Sequence, residues 1–128
     1  MLGPNRVLIV DDNPDFRETT AKLLEALGQK IMVASNGVEA LALCERETPQ
    51  VVLMDLSMPG LNGHEVARLM RRVPNMQDAL LIAISGRDGP DDVKRSYEAS
   101  FQYHMPKPFD WRWFESMLDS FETRKLAT

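Results

Sequence analysis

The chain has 128 residues, 44% of them hydrophobic and 27% charged, which fits one soluble globular domain and excludes a disordered segment. No apolar run approaches the roughly 20 residues of a membrane-spanning helix, and residues 1–6 lack the apolar core of a secretion signal. The net charge of −4 disfavours nucleic-acid binding, because a phosphate backbone needs a basic surface, and the single cysteine, Cys44, favours a reducing cytoplasm.

Five short apolar runs predict five β-strands. The first four are almost continuously apolar, without alternation, which is typical of strands that helices cover on both faces of a parallel sheet. The runs are 7–10, 31–34, 51–54, 80–84 and 101–105.

Helical patterns separate these runs and follow the last one. Asn13 and Pro14 predict the start of the first helix, and Gly28 predicts its end. Further helices are expected to begin at Asn36-Gly37, near Gly63, after Pro90 and at Asp110. The side chains expected to face the core are, helix by helix, Phe16, Thr20, Leu23, Leu24 and Leu27; Val38, Leu41 and Ala42; Val66, Leu69 and Met70; Val93, Tyr97 and Ala99; and Trp111, Phe114, Leu118 and Phe121.

A strand followed by a helix, repeated five times, predicts an α/β fold. With right-handed crossovers, such a chain forms a doubly wound, five-stranded parallel sheet with helices on both faces. We expect a single domain over residues 1–128, with a core at about 5–122 and a tail or the start of a linker at 123–128.

Polar residues that carry chemistry follow the strands, and the carboxyl ends of parallel strands meet at one edge. These residues are Asp11 and Asp12 after the first strand, Asp55 after the third, Ser85 after the fourth and Lys107 after the fifth. Three neighbouring carboxylates repel one another unless a cation joins them, and oxygen ligands suit Mg²⁺. A carboxylate can act as a nucleophile toward phosphorus, and a lysine can pair with a phosphate oxygen.

Four segments carry a specific resemblance: VLIVDDNPDFR, VVLMDLSMPGLNGHEVARLMR, LIAISG and MPKPFD. Together, in this order and at these separations, they resemble the signature blocks of response-regulator receiver domains of the CheY-like superfamily, over essentially the whole chain. The resemblance implies a flavodoxin-like sheet of strand order 2-1-3-4-5. It also implies a module that takes a phosphoryl group from a histidine kinase or a histidine phosphotransfer protein and later loses it to water.

The same resemblance implies roles for individual residues. Asp55 would be the phosphoacceptor and a ligand of Mg²⁺ or Mn²⁺. Asp12 would bind the ion directly, Asp11 mainly through water, and Ser57 through its backbone carbonyl. Lys107 would pair with Asp55 before phosphorylation and with the phosphate afterwards.

Further roles concern the switch and the lifetime of the phosphoryl group. Ser85 would move toward the phosphoryl group, and His104 stands where the family usually carries Tyr or Phe, so it is either a smaller switch residue or a histidine without that role. Ser57 and Arg87 would flank the path of the attacking water, unless they are ordinary surface residues. Gly63 matches a family glycine, for which a tight turn is the expected reason.

Trp113 is expected to be partly exposed on the face formed by the fourth helix, the fifth strand and the fifth helix, which is the usual output face of receivers. It would either anchor a partner or a second copy of the chain, or cover neighbouring side chains. Cys44 is expected to pack in the core, and His64 to be solvated without forming a zinc site.

Two rival functions lack a required residue. A phosphatase of the haloacid-dehalogenase type needs a second acid two residues after the nucleophile, where Ser57 stands. A flavodoxin-like flavin site needs a Ser/Thr/Gly-rich loop after the first strand, where Asp11 and Asp12 would repel the phosphate. A docking module with the receiver fold, independent of phosphorylation, stays open beside the predicted regulatory phosphoacceptor.

Overall fold

The computed structural model describes residues 5–58, 62–86, 89–99, 101–107 and 111–127. Strands and helices alternate along the chain, as the apolar runs predicted. The elements are β1 (Arg6–Val10), α1 (Pro14–Ala26), β2 (Lys30–Ala34), α2 (Gly37–Glu47), β3 (Val51–Asp55), α3 (Gly63–Arg72), β4 (Leu80–Ser85), α4 (Pro90–Glu98), β5 (Tyr103–Pro106) and α5 (Trp111–Ala127).

All pairs of neighbouring strands are parallel, in the order β2-β1-β3-β4-β5. This is the doubly wound, flavodoxin-like sheet that was predicted. The register pairs Val10 with Met54 and Asp55 with Ile84, so β1, β3 and β4 end at nearly the same level. The residues that follow these strands therefore lie side by side at one edge of the sheet.

Two hydrophobic clusters cover the two faces of the sheet. Along β1, Leu8 and Val10 belong to one cluster, whereas Val7 and Ile9 belong to the other. Because both faces of β1 are buried from Val7 to Val10, all four of these positions are apolar, which explains the continuous hydrophobic run.

The edge strand β2 departs from the prediction of burial on both faces. Val33 is 46% exposed, and Ile31 and Met32 are only partly buried. Among the strands that the structure describes, β2 pairs with β1 alone, so one of its sides has no neighbouring strand. An apolar run thus predicted the strand, but not its place at the edge.

The helix boundaries follow local signals. The Asn13 side chain accepts hydrogen bonds from the amides of Asp15 and Phe16, at 3.0 and 3.3 Å, and Asn36 accepts one from Glu39 at 2.8 Å. Gly28 has a φ of 84°, the left-handed conformation that ends a helix most easily in glycine. The predicted starts of α1 and α2 and the end of α1 are confirmed.

The faces that the helices bury were predicted less well. Several apolar side chains that were expected to face the core are exposed: Leu23, Val38, Ala42, Leu69 and Tyr97. Smaller side chains take the buried positions, namely Ala40 and Cys44 in α2, Ala67 in α3 and Ser96 in α4. Leu24, Val66 and Met70 are buried as predicted, so the prediction failed for part of each face and not for whole helices.

Helix α5 buries Phe114 and Leu118 and partly buries Phe121, as predicted. It continues to Ala127, past residue 122, where a tail was expected to begin. The expected start at Asp110 and the side chain of Trp111 lie outside the described part of the chain. Among the helices that the structure describes, none has the length and apolarity needed to cross a bilayer.

Candidate functional site at the carboxyl edge of the sheet

The strand ends bring the predicted polar residues together. Asp11 follows β1, Asp55 ends β3, Ser85 ends β4 and Lys107 follows β5. Asp11, Asp55 and Ser85 are buried, with only 1%, 4% and 3% of their surface exposed. The Lys107 amide donates to the Ser85 carbonyl at 3.0 Å, so the lysine is fixed by the end of the neighbouring strand.

Three carboxylates form one cluster at this edge. Asp11, Asp12 and Asp55 each offer an oxygen within 4.8 Å of the other two. Burial raises the pKa of Asp11, and the charge of Asp55 adds to this shift, while a hydrogen bond from the Asn13 amide at 2.9 Å opposes it. The cluster therefore concentrates negative charge in a place where water solvates it poorly.

The oxygens of Asp55 and Asp11 are paired unequally. Asp55 Oδ2 lies 2.6 Å from Lys107 Nζ, and its Oδ1 accepts from the Ser57 amide at 2.8 Å. Asp11 Oδ2 is buried and has no hydrogen-bond partner among the described residues; Lys107 Nζ stands 3.9 Å from it. A buried carboxylate oxygen without a donor fits a site for a hard cation.

Two side chains of helix α1 contact Asp11 of the carboxylate cluster and the neighbouring Lys107. Arg17 Nη1 donates to the Asp11 carbonyl at 2.9 Å, and Lys107 Nζ lies 5.1 Å from the centre of the Phe16 ring. A cation over an aromatic face is attracted by the ring quadrupole, so Phe16 helps to hold the ammonium near Asp55. Sequence reasoning assigned Phe16 to the core and gave Arg17 no role, although both lie in the first turns after Asn13, close to the end of β1.

Glycine is required at position 63 for a different reason from the tight turn that was predicted. A Cβ at this position would lie closer to Leu56 Cδ2 than real Cβ atoms approach, and would also touch Met54 Sδ. The glycine lets the start of α3 pack against the end of β3, and its φ is not in the left-handed region. Close packing, and not a strained turn, explains it.

The predicted switch residues line a cavity of about 410 Å³ between the end of β3, α3, α4 and β5. Ser85 and His104 both contribute to its wall, together with Ser57, His64 and Arg95. His104 pairs with Ala83 in the sheet, and its Nδ1 lies 2.7 Å from the Ser96 hydroxyl of α4. Ser96 is fully buried, and no feature of the sequence indicates this.

The prediction that His64 is solvated is wrong. The residue is half-buried, and its Nε2 has no hydrogen-bond partner within the described ranges. Burial lowers the pKa of His64, and the positive charges of Arg95 and Arg68 lower it further. In the part of the chain that the structure describes, the aspartate cluster is the one group of three or more potential metal ligands.

The remaining predicted residues lie as follows. Trp113 is 39% exposed, as expected, and meets the Tyr103 ring edge-to-face, with ring centres 5.4 Å apart. Cys44 is buried in the core, and burial raises the pKa of its thiol to about 12, which suits a packing role. Ser57 is exposed beside Asp55, and Arg87 lies outside the described residues.

Comparisons with known proteins agree with the resemblance in the four segments. The sequence-family model of the response regulator receiver domain matches residues 7–119. The protein PilH of Pseudomonas aeruginosa is 33% identical over 105 residues, which are 82% of this chain and 87% of PilH.

Solved structures give the same result for the fold. The signal receiver domain of a DNA-binding response regulator from Colwellia psychrerythraea superposes with a TM-score of 0.85 at 26% identity, covering 93% of this chain and 98% of that one. The receiver domain of the sensor histidine kinase PA1611 from Pseudomonas aeruginosa has a TM-score of 0.82 at 24% identity, covering 93% and 98%. That structure has a magnesium ion coordinated in its active-site cleft.

Proposed function

The chain belongs to the response regulator receiver domain family, and we propose that Asp55 accepts a phosphoryl group from a phosphohistidine. The donor would be a histidine kinase or a histidine phosphotransfer protein. A carboxylate oxygen of Asp55 forms the new bond to phosphorus, the N–P bond of the donor breaks, and the donor imidazole keeps the electron pair and takes up a proton. The observation that carries the proposal is the 2.6 Å contact between Lys107 Nζ and Asp55 Oδ2 inside a cluster of three carboxylates.

The carboxylate cluster fits a divalent ion, because Asp11 Oδ2 is buried without a hydrogen-bond partner among the described residues. Asp12 and Asp55 would hold Mg²⁺ or Mn²⁺ directly, Asp11 mainly through water, and Ser57 through its backbone carbonyl. When bound, the ion supplies positive charge that reduces the repulsion between these carboxylates and an incoming phosphoryl group. Lys107 then pairs with a phosphoryl oxygen, which it can reach without leaving the site.

Ser85 and His104 would convert phosphorylation into a change of shape. Ser85 is buried beside Asp55 and can donate a hydrogen bond to a phosphoryl oxygen after the transfer. His104 lines the same cavity as Ser85 and would rotate inward as Ser85 moves. The phosphoryl group thereby shifts the population toward a second arrangement of the face formed by α4, β5 and α5.

The phosphoryl group would leave by hydrolysis, so the chain catalyses only its own phosphorylation and dephosphorylation. Ser57 is exposed next to Asp55, where its side chain can affect the approach of water. We assign to Ser57 and Arg87 the tuning of the phosphoryl lifetime. The module would work in the cytoplasm, a location that the free thiol of Cys44 supports.

Docking without phosphorylation is the second candidate, and the exposed Trp113 favours it. Its ring packs edge-to-face with the ring of Tyr103 on β5, so the pair presents aromatic surface to a partner or to a second copy of the chain. Aromatic side chains of this kind often anchor interfaces. The same surface serves the first candidate as its output face, so phosphorylation decides between the two.

The test is phosphate incorporation from acetyl phosphate, with and without Mg²⁺. We expect the wild type to incorporate phosphate only with the ion, and Asp55→Asn to incorporate none. Asp78→Asn, the same substitution at an exposed position, is the matched control and should behave as the wild type does. Equal incorporation in Asp55→Asn and wild type would contradict the proposal. No incorporation in the wild type, even with a phosphorylated histidine donor, would favour the docking module.

A further inference from the structure

Ser96 lies in α4 with no part of its surface exposed, and its hydroxyl oxygen lies 2.7 Å from Nδ1 of His104 on β5. We propose that Ser96 is a positioning residue that fastens the His104 ring to helix α4 and thereby favours the unphosphorylated arrangement. The expected effect of Ser96 on the rate of phosphorylation rests on the function proposed above, whereas its expected effect on the position of the His104 ring is independent of that function.

The hydrogen bond between Ser96 and His104 survives every protonation state of the imidazole. A serine hydroxyl both donates and accepts, so it can donate to a bare Nδ1 or accept from Nδ1–H. A buried hydroxyl without a partner is costly, and the bond to His104 is the hydrogen bond that the structure gives to the Ser96 side chain. The pair therefore holds the ring toward α4 whether or not the histidine is charged.

Among aromatic side chains, only an imidazole at position 104 can make this contact. Nδ1 is bonded directly to Cγ, close to the backbone of β5, whereas a phenyl ring has carbon at this place. A tyrosine would carry its oxygen at the far end of the ring, away from Ser96. The departure at His104 from the aromatic residue of the family and the buried serine in α4 thus belong together.

The bond couples the ring to the movement of a whole helix. Ser96 is also tied to the chain that leads into β5, because the Phe101 amide donates to the Ser96 carbonyl at 3.1 Å. When His104 turns toward Ser85 in their shared cavity, the Ser96 hydroxyl loses its partner unless α4 moves with the ring. Either change disfavours the turned-in state, so the bond stabilises the resting one.

The first measurement is the ¹⁵N chemical shift of the His104 ring nitrogens in the absence of any phosphodonor. Ser96→Ala removes the hydroxyl with little change in volume and should shift the Nδ1 signal. Ser96→Thr retains the hydroxyl and should restore the wild-type signal. An Nδ1 signal in Ser96→Ala identical to that of the wild type would overturn the proposal.

The second measurement is the initial rate of phosphate incorporation from acetyl phosphate with Mg²⁺. Because the loss of one hydrogen bond releases the resting arrangement, Ser96→Ala should react roughly three- to tenfold faster than the wild type. The substitution should have no further effect in a His104→Phe background, where no Nδ1 is present. An unchanged rate, or an equal acceleration in both backgrounds, would overturn the proposal.

Failure of the proposed function gives a different result. A wild type that incorporates no phosphate with Mg²⁺ from acetyl phosphate or from a phosphorylated histidine donor, while Ser96→Ala still shifts the Nδ1 signal, would remove the phosphoacceptor role and leave the positioning role of Ser96 supported. Incorporation in the wild type without any shift in Ser96→Ala would do the reverse.

Discussion

The sheet has an amino edge, where its strands begin, and a carboxyl edge, where they end. Polar residues are paired with one another at the amino edge but only partly paired at the carboxyl edge. At the amino edge, the amide and side chain of Asn5 both donate to Gln29 Oε1, at 3.0 and 3.1 Å. The Arg6 amide donates to Gln50 Oε1 at 2.9 Å, and its guanidinium donates to the Glu47 carbonyl at 3.0 Å. Polar groups of this edge are paired with one another and tie strands to the loops beside them.

Arg71 extends this pattern from α3. Its Nη1 donates to the carbonyls of Met76, Gln77 and Ala79, at 3.1, 3.1 and 2.7 Å, and its Nη2 donates to Gln102 Oε1 at 2.7 Å. One side chain thereby holds the loop before β4 and the turn before β5. These contacts stabilise the fold.

The carboxyl edge is under-paired by comparison. Within the described ranges, two buried side-chain atoms have no hydrogen-bond partner, Asp11 Oδ2 and His64 Nε2, and both lie on the side of the sheet where the strands end. Polar atoms that remain unpaired in a folded chain cost stability. The polar residues of the amino edge therefore stabilise the fold, whereas the carboxyl edge keeps a buried carboxylate oxygen that fits a cation site.

Among substitutions that test the difference between the two edges, replacing Lys107 at the carboxyl edge should have the largest effect. Lys107→Gln removes the charge beside Asp55, so we expect the initial rate of phosphate incorporation from acetyl phosphate to fall on the order of 100-fold. Lys30→Gln, at an exposed position near the amino end of β2, should leave the rate unchanged. Equal rates for Lys107→Gln and wild type would mean that the lysine only neutralises Asp55.

Replacing Arg71 tests the amino edge. Arg71→Met retains much of the side-chain volume but removes the bonds to Met76, Gln77, Ala79 and Gln102, so the free energy of unfolding should fall by about 2–3 kcal/mol in urea denaturation. The phosphorylation rate of the folded protein should not change. Arg72→Met, one position along on the exposed side of α3, is the control and should change stability little. A slower phosphorylation in Arg71→Met would show that the two edges are not independent.

Asp11→Asn should change the free energy of unfolding in the opposite direction from Arg71→Met. Without divalent ions, the substitution removes a buried charge beside Asp55 and should raise the free energy of unfolding by about 1 kcal/mol, while weakening Mg²⁺ binding. Because the pKa of Asp11 is raised in the folded chain, stability from its neutral form is present at low pH and is lost as the pH rises through that pKa. The variant should lack this decline.

Asp12→Asn is the comparison for Asp11→Asn. Its side chain is exposed, so the metal-free stability should hardly change, although Mg²⁺ binding should weaken in both variants. A metal-free stability in Asp11→Asn that lies below that of the wild type would contradict the view that this carboxylate is held at a cost.

Of these substitutions, His64→Gln should change the free energy of unfolding least, and mainly through its dependence on pH. The pKa of His64 is lowered in the folded chain, so the unfolded chain binds its proton more readily. The stability that the neutral ring contributes is present above the ordinary histidine pKa of 6.5 and is lost as the pH falls through the lowered value. Free energies of unfolding measured from about pH 8 to pH 5 should therefore depend less on pH in the variant than in the wild type. Parallel curves would assign the unpaired Nε2 no role in acid sensitivity.

Sequence reasoning reached the carboxyl edge more fully than the amino edge. Asp11, Asp12, Asp55, Ser85 and Lys107 could be placed together because each follows an apolar run, and parallel strands bring such ends to one edge. At the amino edge, the bonds of Arg71 to carbonyls between positions 76 and 79 depend on the path of a loop, and no residue pattern indicates that path.

The sequence by itself determined the order of the elements, the start of α1 at Asn13 and the strand ends that carry the acids, because hydrophobic runs and caps act over a few neighbouring residues. Only the tertiary structure decided that β2 is an exposed edge, that Ala40 is buried in α2 while Val38 is 81% exposed, and that Ser96 meets His104. Those outcomes depend on which elements pack against each other. Burial is set by neighbours that are distant in the chain, so a local pattern predicts a helix or a strand but not what will cover each of its sides.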